Sequence, residues 1–133
     1  MFSSLIGPSF PNHLYTIAAK SGGVINNPPN NTAGWGCDVP NEQVEVMSNN
    51  GSTHLQNACF NFPTLTDELD AKGYSWRYYA PPAEGGFGYH WSAFNAIHHM
   101  RYGKDWQYVV STQQFMEDAS SGNLPTVSCN NAR

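Results

Sequence analysis

Ser9-Phe10-Pro11-Asn12-His13 is the stretch of this chain with the most chemical potential. A hydroxyl residue is followed two positions later by a proline, and proline is tolerated in the first turn of a helix, where its missing N–H has no intrahelical partner anyway. The Ser9 hydroxyl then lies at or just before a helix N-terminus. Free backbone N–H groups and the positive end of the helix dipole attract anions there. The same few residues could thus form a nucleophilic oxygen and a phosphate pocket. A hydroxyl is a weak nucleophile and needs a base or a metal to activate it. The plainer reading of Ser9 is an ordinary helix cap, since serine is favoured at that position.

The neighbouring polar residues each carry two readings. The Asn12 amide could donate to a phosphate oxygen one turn from Ser9, or could simply be exposed in the first turn of the helix. His13 can orient a group in the same site, as a supporting or structural residue in preference to a direct metal ligand. Asp38 follows Trp35-Gly36-Cys37 in a loop. Its carboxylate could meet a metal, a ligand or a backbone N–H, and a local Asx-type turn is the commoner explanation. His98 and His99 are adjacent on a helical pattern and point about 100° apart, so one faces the core or a cleft and the other solvent. His54 falls in an exposed hairpin, and His90 in a glycine-rich loop.

The stretch Gly7-Pro8-Ser9-Phe10-Pro11-Asn12-His13-Leu14-Tyr15 resembles the nucleophile segment of the phosphoesterase family that includes bacterial phospholipases C and acid phosphatases. That family belongs to the alkaline-phosphatase-like superfamily, whose nucleotide pyrophosphatases carry a similar Thr-Phe-Pro-Asn-His segment. The resemblance continues through Trp35-Gly36-Cys37-Asp38, Cys59-Phe60-Asn61-Phe62-Pro63-Thr64-Leu65 and Trp76-Arg77-Tyr78-Tyr79-Ala80-Pro81-Pro82. Trp91-Ser92-Ala93-Phe94, Ile97 to Trp106 and Gly122-Asn123-Leu124-Pro125 extend it over nearly the whole chain.

The resemblance implies metal-dependent hydrolysis of a phosphoester, either a phospholipid or a phosphomonoester. Ser9 would be the nucleophile and, as an alkoxide, a ligand of a divalent metal, with Asn12 and His13 in the catalytic segment and Asp38 a candidate metal ligand. It also implies a partial alkaline-phosphatase-like α/β fold. Members of the family are much longer and use an Asn near the N-terminus and an Asp pair far downstream. No Asp-Asp occurs in the 133 residues. The expectation is therefore a single partial domain, cut from a larger catalytic parent and inactive by itself. Relatives are often exported, which implies a periplasmic or secreted parent. Cys37 and Cys59 stand where relatives often carry cysteine; a disulfide between them and two free thiols are both open. Cys129 stands where an aromatic is expected, and the tail 128–133 departs from the family pattern.

Composition limits the partners. Charged residues make up 12% of the chain and the net charge is -4. With few, unclustered Lys and Arg, nucleic-acid binding is not expected. No apolar run is long enough to span a membrane, and residues 1–6 are too short for a signal peptide. Aromatics at 14%, with four Trp and seven Tyr, supply a core. Together with the many Asn residues they also support a rival reading, a non-catalytic carbohydrate-binding or interaction module.

The positioning elements alternate. Residues 11–21 read as a helix stopped by Gly22-Gly23, and 24–40 as a loop. Residues 43–47 and 53–56 pair around Asn49-Asn50-Gly51. A helix over 64–72 opens on Thr64 and Asp67 at capping-box spacing. An aromatic strand over 74–79 is followed by a glycine-rich loop over 83–88. A helix over 91–102 carries Trp91, Phe94 and Ile97 at helical spacing. A short strand at 109–110, a helix over 112–120 and a strand beginning at 126–128 complete the pattern. Helices alternating with short strands predict an α/β sheet.

Overall fold

In the computed structural model, which describes residues 4–28, 35–81, 89 and 92–131, the first helix begins at the serine itself. Helix α1 spans Ser9–Ala18 with Pro8 at its N-cap, so Pro11 does fall in the first turn. Phe10, Pro11, Leu14 and Ile17 are its buried residues. At about 100° per residue these lie on one side of the helix. Ser9, Asn12, His13 and Thr16 share the opposite side.

The helix ends before the glycine pair that the sequence points to. Ala19 takes the left-handed conformation, with φ of 53°, and its N–H donates to the Tyr15 carbonyl. This early turn delivers Gly23 to the next element. There the Met47 N–H donates to the Gly23 carbonyl at 2.9 Å, and Val24 bridges Val46. Gly23 has φ of +86°, and a Cβ on it would lie 2.8 Å from the Met47 carbonyl oxygen. Only glycine meets both conditions.

Strands β1 (Gln43–Met47) and β2 (Thr53–Asn57) form the expected antiparallel hairpin, with Met47 opposite Thr53. Val44 and Val46 alternate into the core. Helix α2 (Leu65–Ala71) has the capping box that the sequence spacing predicts: Thr64 and Asp67 satisfy each other's backbone N–H groups. Strand β3 (Trp76–Tyr79) is central in a parallel sheet, between β4 (Val109–Val110) and β5 (Val127–Asn130). Helix α4 (Thr112–Ser121) connects β4 to β5 and lays Phe115 edge-on against Tyr79, with ring centroids 5.1 Å apart. Ser111 caps its start and Gly122, left-handed, ends it.

The single helix expected over 91–102 is broken, and this corrects the sequence reading. A 3-10 turn, Ala93–Ala96, gives way to an extended Ile97 and then to the short helix α3 (His98–Arg101). The cause is tertiary. Phe60 pairs with Ile97 as in a parallel ladder: the Phe60 N–H donates to the Ala96 carbonyl at 2.7 Å and the His98 N–H to the Phe60 carbonyl at 2.6 Å. An α-helical Ile97 would direct those groups along its own axis. A further 3-10 turn, Lys104–Tyr108, follows; the sequence gives no sign of it. Trp91, His90, the loop over 83–88 and residues 29–34 of the loop over 24–40 lie outside the described residues.

Helices and strands are mixed, and the α/β expectation holds. The core joins α1 to the parallel sheet through Phe10, Leu14, Phe60, Trp76, Tyr78, Phe94 and Ile97. Phe94 sits edge-on to Tyr78 at 4.7 Å between centroids. Among the described residues no helix is long and apolar enough to cross a membrane.

Candidate active site at the start of the first helix

Ser9 occupies the first position of a ten-residue helix whose N-cap, Pro8, offers no capping side chain. The missing cap comes from far along the chain. Asn27 Oδ1 accepts the Phe10 N–H at 2.9 Å, and the Ser9 hydroxyl lies 3.5 Å from the same oxygen. Asn27 is held there by the hairpin. Next to it, Asn26 Nδ2 donates to Glu45 Oε2 at 3.1 Å, the Ile25 N–H to the Glu45 carbonyl at 3.1 Å, and Val24 bridges Val46. β1 therefore sets where Asn27 meets α1. Ser9 stays half-buried at the positive end of the helix, on the side turned away from the core.

The structure brings Asn12 and His13 onto the same helix face as Ser9, three and four positions on. Asn12 is fully occupied. Its Nδ2 donates to the Leu5 and Pro8 carbonyls at 3.1 and 3.0 Å, and its Oδ1 accepts the Leu5 N–H at 3.0 Å. The side chain thus closes the segment before the helix onto its first turn. Burial lowers the pKa of His13 below its ordinary 6.5, so the ring is neutral at pH 7.

Asp38 lies elsewhere. It ends the 3-10 turn Gly36–Asp38, and both carboxylate oxygens are engaged. Arg101 Nε donates to Oδ1 at 2.7 Å, Asn95 Nδ2 donates to Oδ2 at 3.0 Å, and the Tyr89 hydroxyl also donates to Oδ2. The same turn is anchored a second time, since the Tyr102 hydroxyl donates to the Cys37 carbonyl at 2.6 Å. Cys37 and Cys59 are bridged, with Cα atoms 4.5 Å apart. Gly36 packs so closely that a Cβ on it would lie 2.6 Å from the Asn95 carbonyl oxygen. Ser9 and Asp38 share no hydrogen-bond partner among these contacts. Among the described residues no group of three or more His, Cys, Asp or Glu could hold a metal ion. As placed, these residues do not form a donor set for a divalent cation.

Two polar clusters went unread in the sequence. His99 Nδ1 meets Asn61 Oδ1 at 2.8 Å, and its Nε2 lies 3.2 Å from Asp67 Oδ2, tying α3 to the start of α2. Burial alone would raise the Asp67 pKa. Hydrogen bonds from the Thr64 N–H and hydroxyl, together with His99, outweigh it and hold the carboxyl below its ordinary value. The second cluster joins Arg77, Tyr79 and Gln114 around the buried Asp118. The Arg77 guanidinium, with the Tyr79 hydroxyl, holds that carboxyl low as well. Both clusters link residues more than thirty positions apart, a separation no local pattern reveals. Of the adjacent histidines, His98 is exposed and stacks edge-on to Tyr102, while His99 is half-buried between Asn61 and Asp67.

A comparison with curated proteins finds no match. The sequence model of the phosphoesterase family, in contrast, matches residues 1–133, which takes in the serine-led helix, the disulfide and the parallel sheet alike. Matched from end to end, the chain belongs to the phosphoesterase family.

Proposed function

We propose that this chain carries the nucleophile segment of a phosphoester hydrolase and that Ser9 is the nucleophile. The observation that carries the reading is the placement of Ser9 at the first position of α1, on its outward face, with its hydroxyl beside Asn27. A phosphoryl oxygen approaching that helix start meets the positive end of the helix dipole, while the Phe10 N–H is already taken by Asn27. Ser9 Oγ attacks phosphorus, the bond to the leaving alcohol breaks, and a phosphoserine forms. Water then attacks the same phosphorus and releases phosphate, returning the hydroxyl. His13, neutral and on the same face, is a proton acceptor within the segment; Asn12 is a positioning residue that fixes the chain before the helix.

A divalent metal in this family would favour the alkoxide form of Ser9. Beyond Ser9, the donors for it are not assembled by the described residues, and Asp38 is better read as the anchor of its turn. We expect the 133-residue chain assayed alone to be inactive, with catalysis belonging to a longer protein that supplies the remaining metal donors of the family. Export to the periplasm or the cell exterior is part of the same proposal. The Cys37–Cys59 bridge supports it, because disulfides persist in oxidising compartments. Against the carbohydrate-module reading, Trp35 and Trp76 are 2% and 4% exposed, as core residues are, which leaves tyrosines such as Tyr74 and Tyr102 as the exposed aromatics.

The test is nitrophenyl phosphate hydrolysis with added divalent metals, run on a phosphoesterase that contains this segment and on its Ser9→Ala variant. A loss of roughly 10^3-fold or more is expected, the scale on which removal of a reacting group shows. Turnover within a few-fold of the parent would remove Ser9 from the chemistry. A phospholipid substrate run in parallel separates the two substrate classes. Robust Ser9-dependent turnover by the 133-residue chain alone would show that it holds a complete site.

A further inference from the structure

The turn between β1 and β2 carries chemistry of its own. Asn50 is the one asparagine of the chain that precedes a glycine. The turn is closed by the Ser48 N–H, which donates to the Ser52 carbonyl at 2.8 Å, and by the Gly51 N–H, which donates to the Ser48 carbonyl at 2.9 Å. Residues 49–55 are exposed. Gly51 takes φ of +83°, the left-handed conformation that closes a three-residue hairpin loop. Nothing lies within 4 Å of where its Cβ would be, so the Asn50–Gly51 peptide is uncrowded on that side.

The Asn50 side chain is polarised from within the same turn. Its Oδ1 accepts the Ser52 N–H at 3.0 Å and the Ser52 hydroxyl at 2.7 Å. A backbone N–H can only donate, so the atom facing it is the amide oxygen and not the amide nitrogen. Two donors on one carbonyl oxygen draw electron density from Cγ. They are also in place for the negative charge that gathers on that oxygen when a nucleophile adds to the carbon. Both belong to a residue two positions along, so they do not depend on the bond between Gly51 and Ser48.

We propose that Asn50 is a self-modification site, losing ammonia through a cyclic imide formed with Gly51 and assisted by Ser52. When the turn opens, the Gly51 N–H leaves the Ser48 carbonyl and gives its proton to solvent. The Gly51 nitrogen adds to Asn50 Cγ, the Cγ–Nδ2 bond breaks, and Nδ2 departs as ammonia with a proton taken from water. Water then opens the ring at either carbonyl, yielding aspartate or isoaspartate. In sum an amide and water become a carboxyl group and ammonia, and nothing is oxidised or reduced. In the isoaspartate the chain runs through the side-chain carbon, which lengthens the loop that sets Met47 opposite Thr53. The site does not depend on Ser9 or on its chemistry.

The test is ageing of the 133-residue chain in mildly alkaline buffer at physiological temperature, followed by peptide mapping with mass spectrometry. The peptide holding Asn50 should gain the mass that separates aspartate from asparagine, ahead of the peptides holding the exposed Asn41 and Asn123, and should split into aspartate and isoaspartate forms. Ser52→Ala should slow the change about fivefold, the effect of one neutral hydrogen bond on a barrier. Ser52→Thr, which keeps the hydroxyl, should hold the parent rate. The proposal is overturned if Asn50 changes no faster than Asn41 and Asn123, or if aspartate forms without isoaspartate, since the ring would then not be on the path. A Ser52→Ala rate equal to or above the parent's would overturn it too, because the hydroxyl would then give the reaction no assistance.

Discussion

Replacing Gly36 by alanine loads two costs onto one atom. The residue has φ of +62°, a left-handed conformation, and the added Cβ would lie 2.6 Å from the Asn95 carbonyl oxygen and 3.1 Å from the Ala96 Cα. The conformation alone costs about 1–2 kcal/mol for a residue with a Cβ. The obstacle is backbone, so it yields only if the turn Ala93–Ala96 moves away from Gly36–Asp38, and overpacking of that kind costs about 1–3 kcal/mol. Together they predict a loss of about 2–5 kcal/mol, a large part of the 5–15 kcal/mol that typically holds a domain folded. Gly51→Ala is the control. Gly51 has φ of +83° and nothing within 4 Å of its added Cβ, so it bears the conformational cost only. Thermal unfolding of the two variants, followed by circular dichroism, isolates the steric part. Gly36→Ala should melt lower than Gly51→Ala by several degrees, since 1 kcal/mol shifts a domain of this size by roughly 3–5 °C. Equal midpoints would refute the close approach of the two turns and, with it, the account of how Asp38 meets Asn95.

Reduction of the Cys37–Cys59 bridge opens a loop with a sequence separation of 22. A loop of that length implies a loss of about 3 kcal/mol on the chain-entropy model, measured as a fall in the urea midpoint on adding reductant and absent in a Cys37→Ser, Cys59→Ser double variant. Acid sensitivity should fall partly on Asp67. Its folded pKa lies below its unfolded value of 3.8, so its contribution is complete above that pH and is lost as the pH falls through the folded value. Asp67→Asn should therefore show a smaller drop in urea midpoint between about pH 6 and about pH 3 than the parent. Asp118, also held low, keeps part of the drop. A decline equal to the parent's would show that the Thr64 and His99 contacts do not favour the charged carboxylate.

The elements legible in the sequence are those whose cause is local. Asn49-Asn50-Gly51 after the alternating Val44 and Val46 specifies the hairpin; Thr64 with Asp67 specifies the start of α2; Gly122 specifies the end of α4. Where a distant partner decides, sequence patterns mislead. The apolar spacing of Phe94 and Ile97 suits a helix, but Phe60 claims the backbone on either side of Ile97 and breaks it. Gly22-Gly23 suits a helix stop, yet the need to set Gly23 against β1 ends α1 at Ala18. The site divides in the same way. Ser9 at a helix start is readable from Pro11 and from family resemblance. Asn27 is not, because one asparagine in a loop rich in Asn and Pro carries no mark of the contact it makes 18 positions away. Asp38 reads as a loop carboxylate open to a metal, whereas its partners Tyr89, Asn95 and Arg101 lie 51 to 63 positions downstream.

The central claim is that phosphate is transferred to Ser9, and the covalent intermediate tests it most directly. A phosphoesterase carrying this segment would be mixed with a phosphoester substrate, quenched in acid and digested. Mass spectrometry of the peptide that contains Gly7 to Tyr15 would then locate any added phosphate. The account predicts phosphate on Ser9 in the parent and none on this peptide in Ser9→Ala, with turnover lost in step. Phosphate on His13, or on a residue outside α1, or sustained turnover without Ser9, would contradict it.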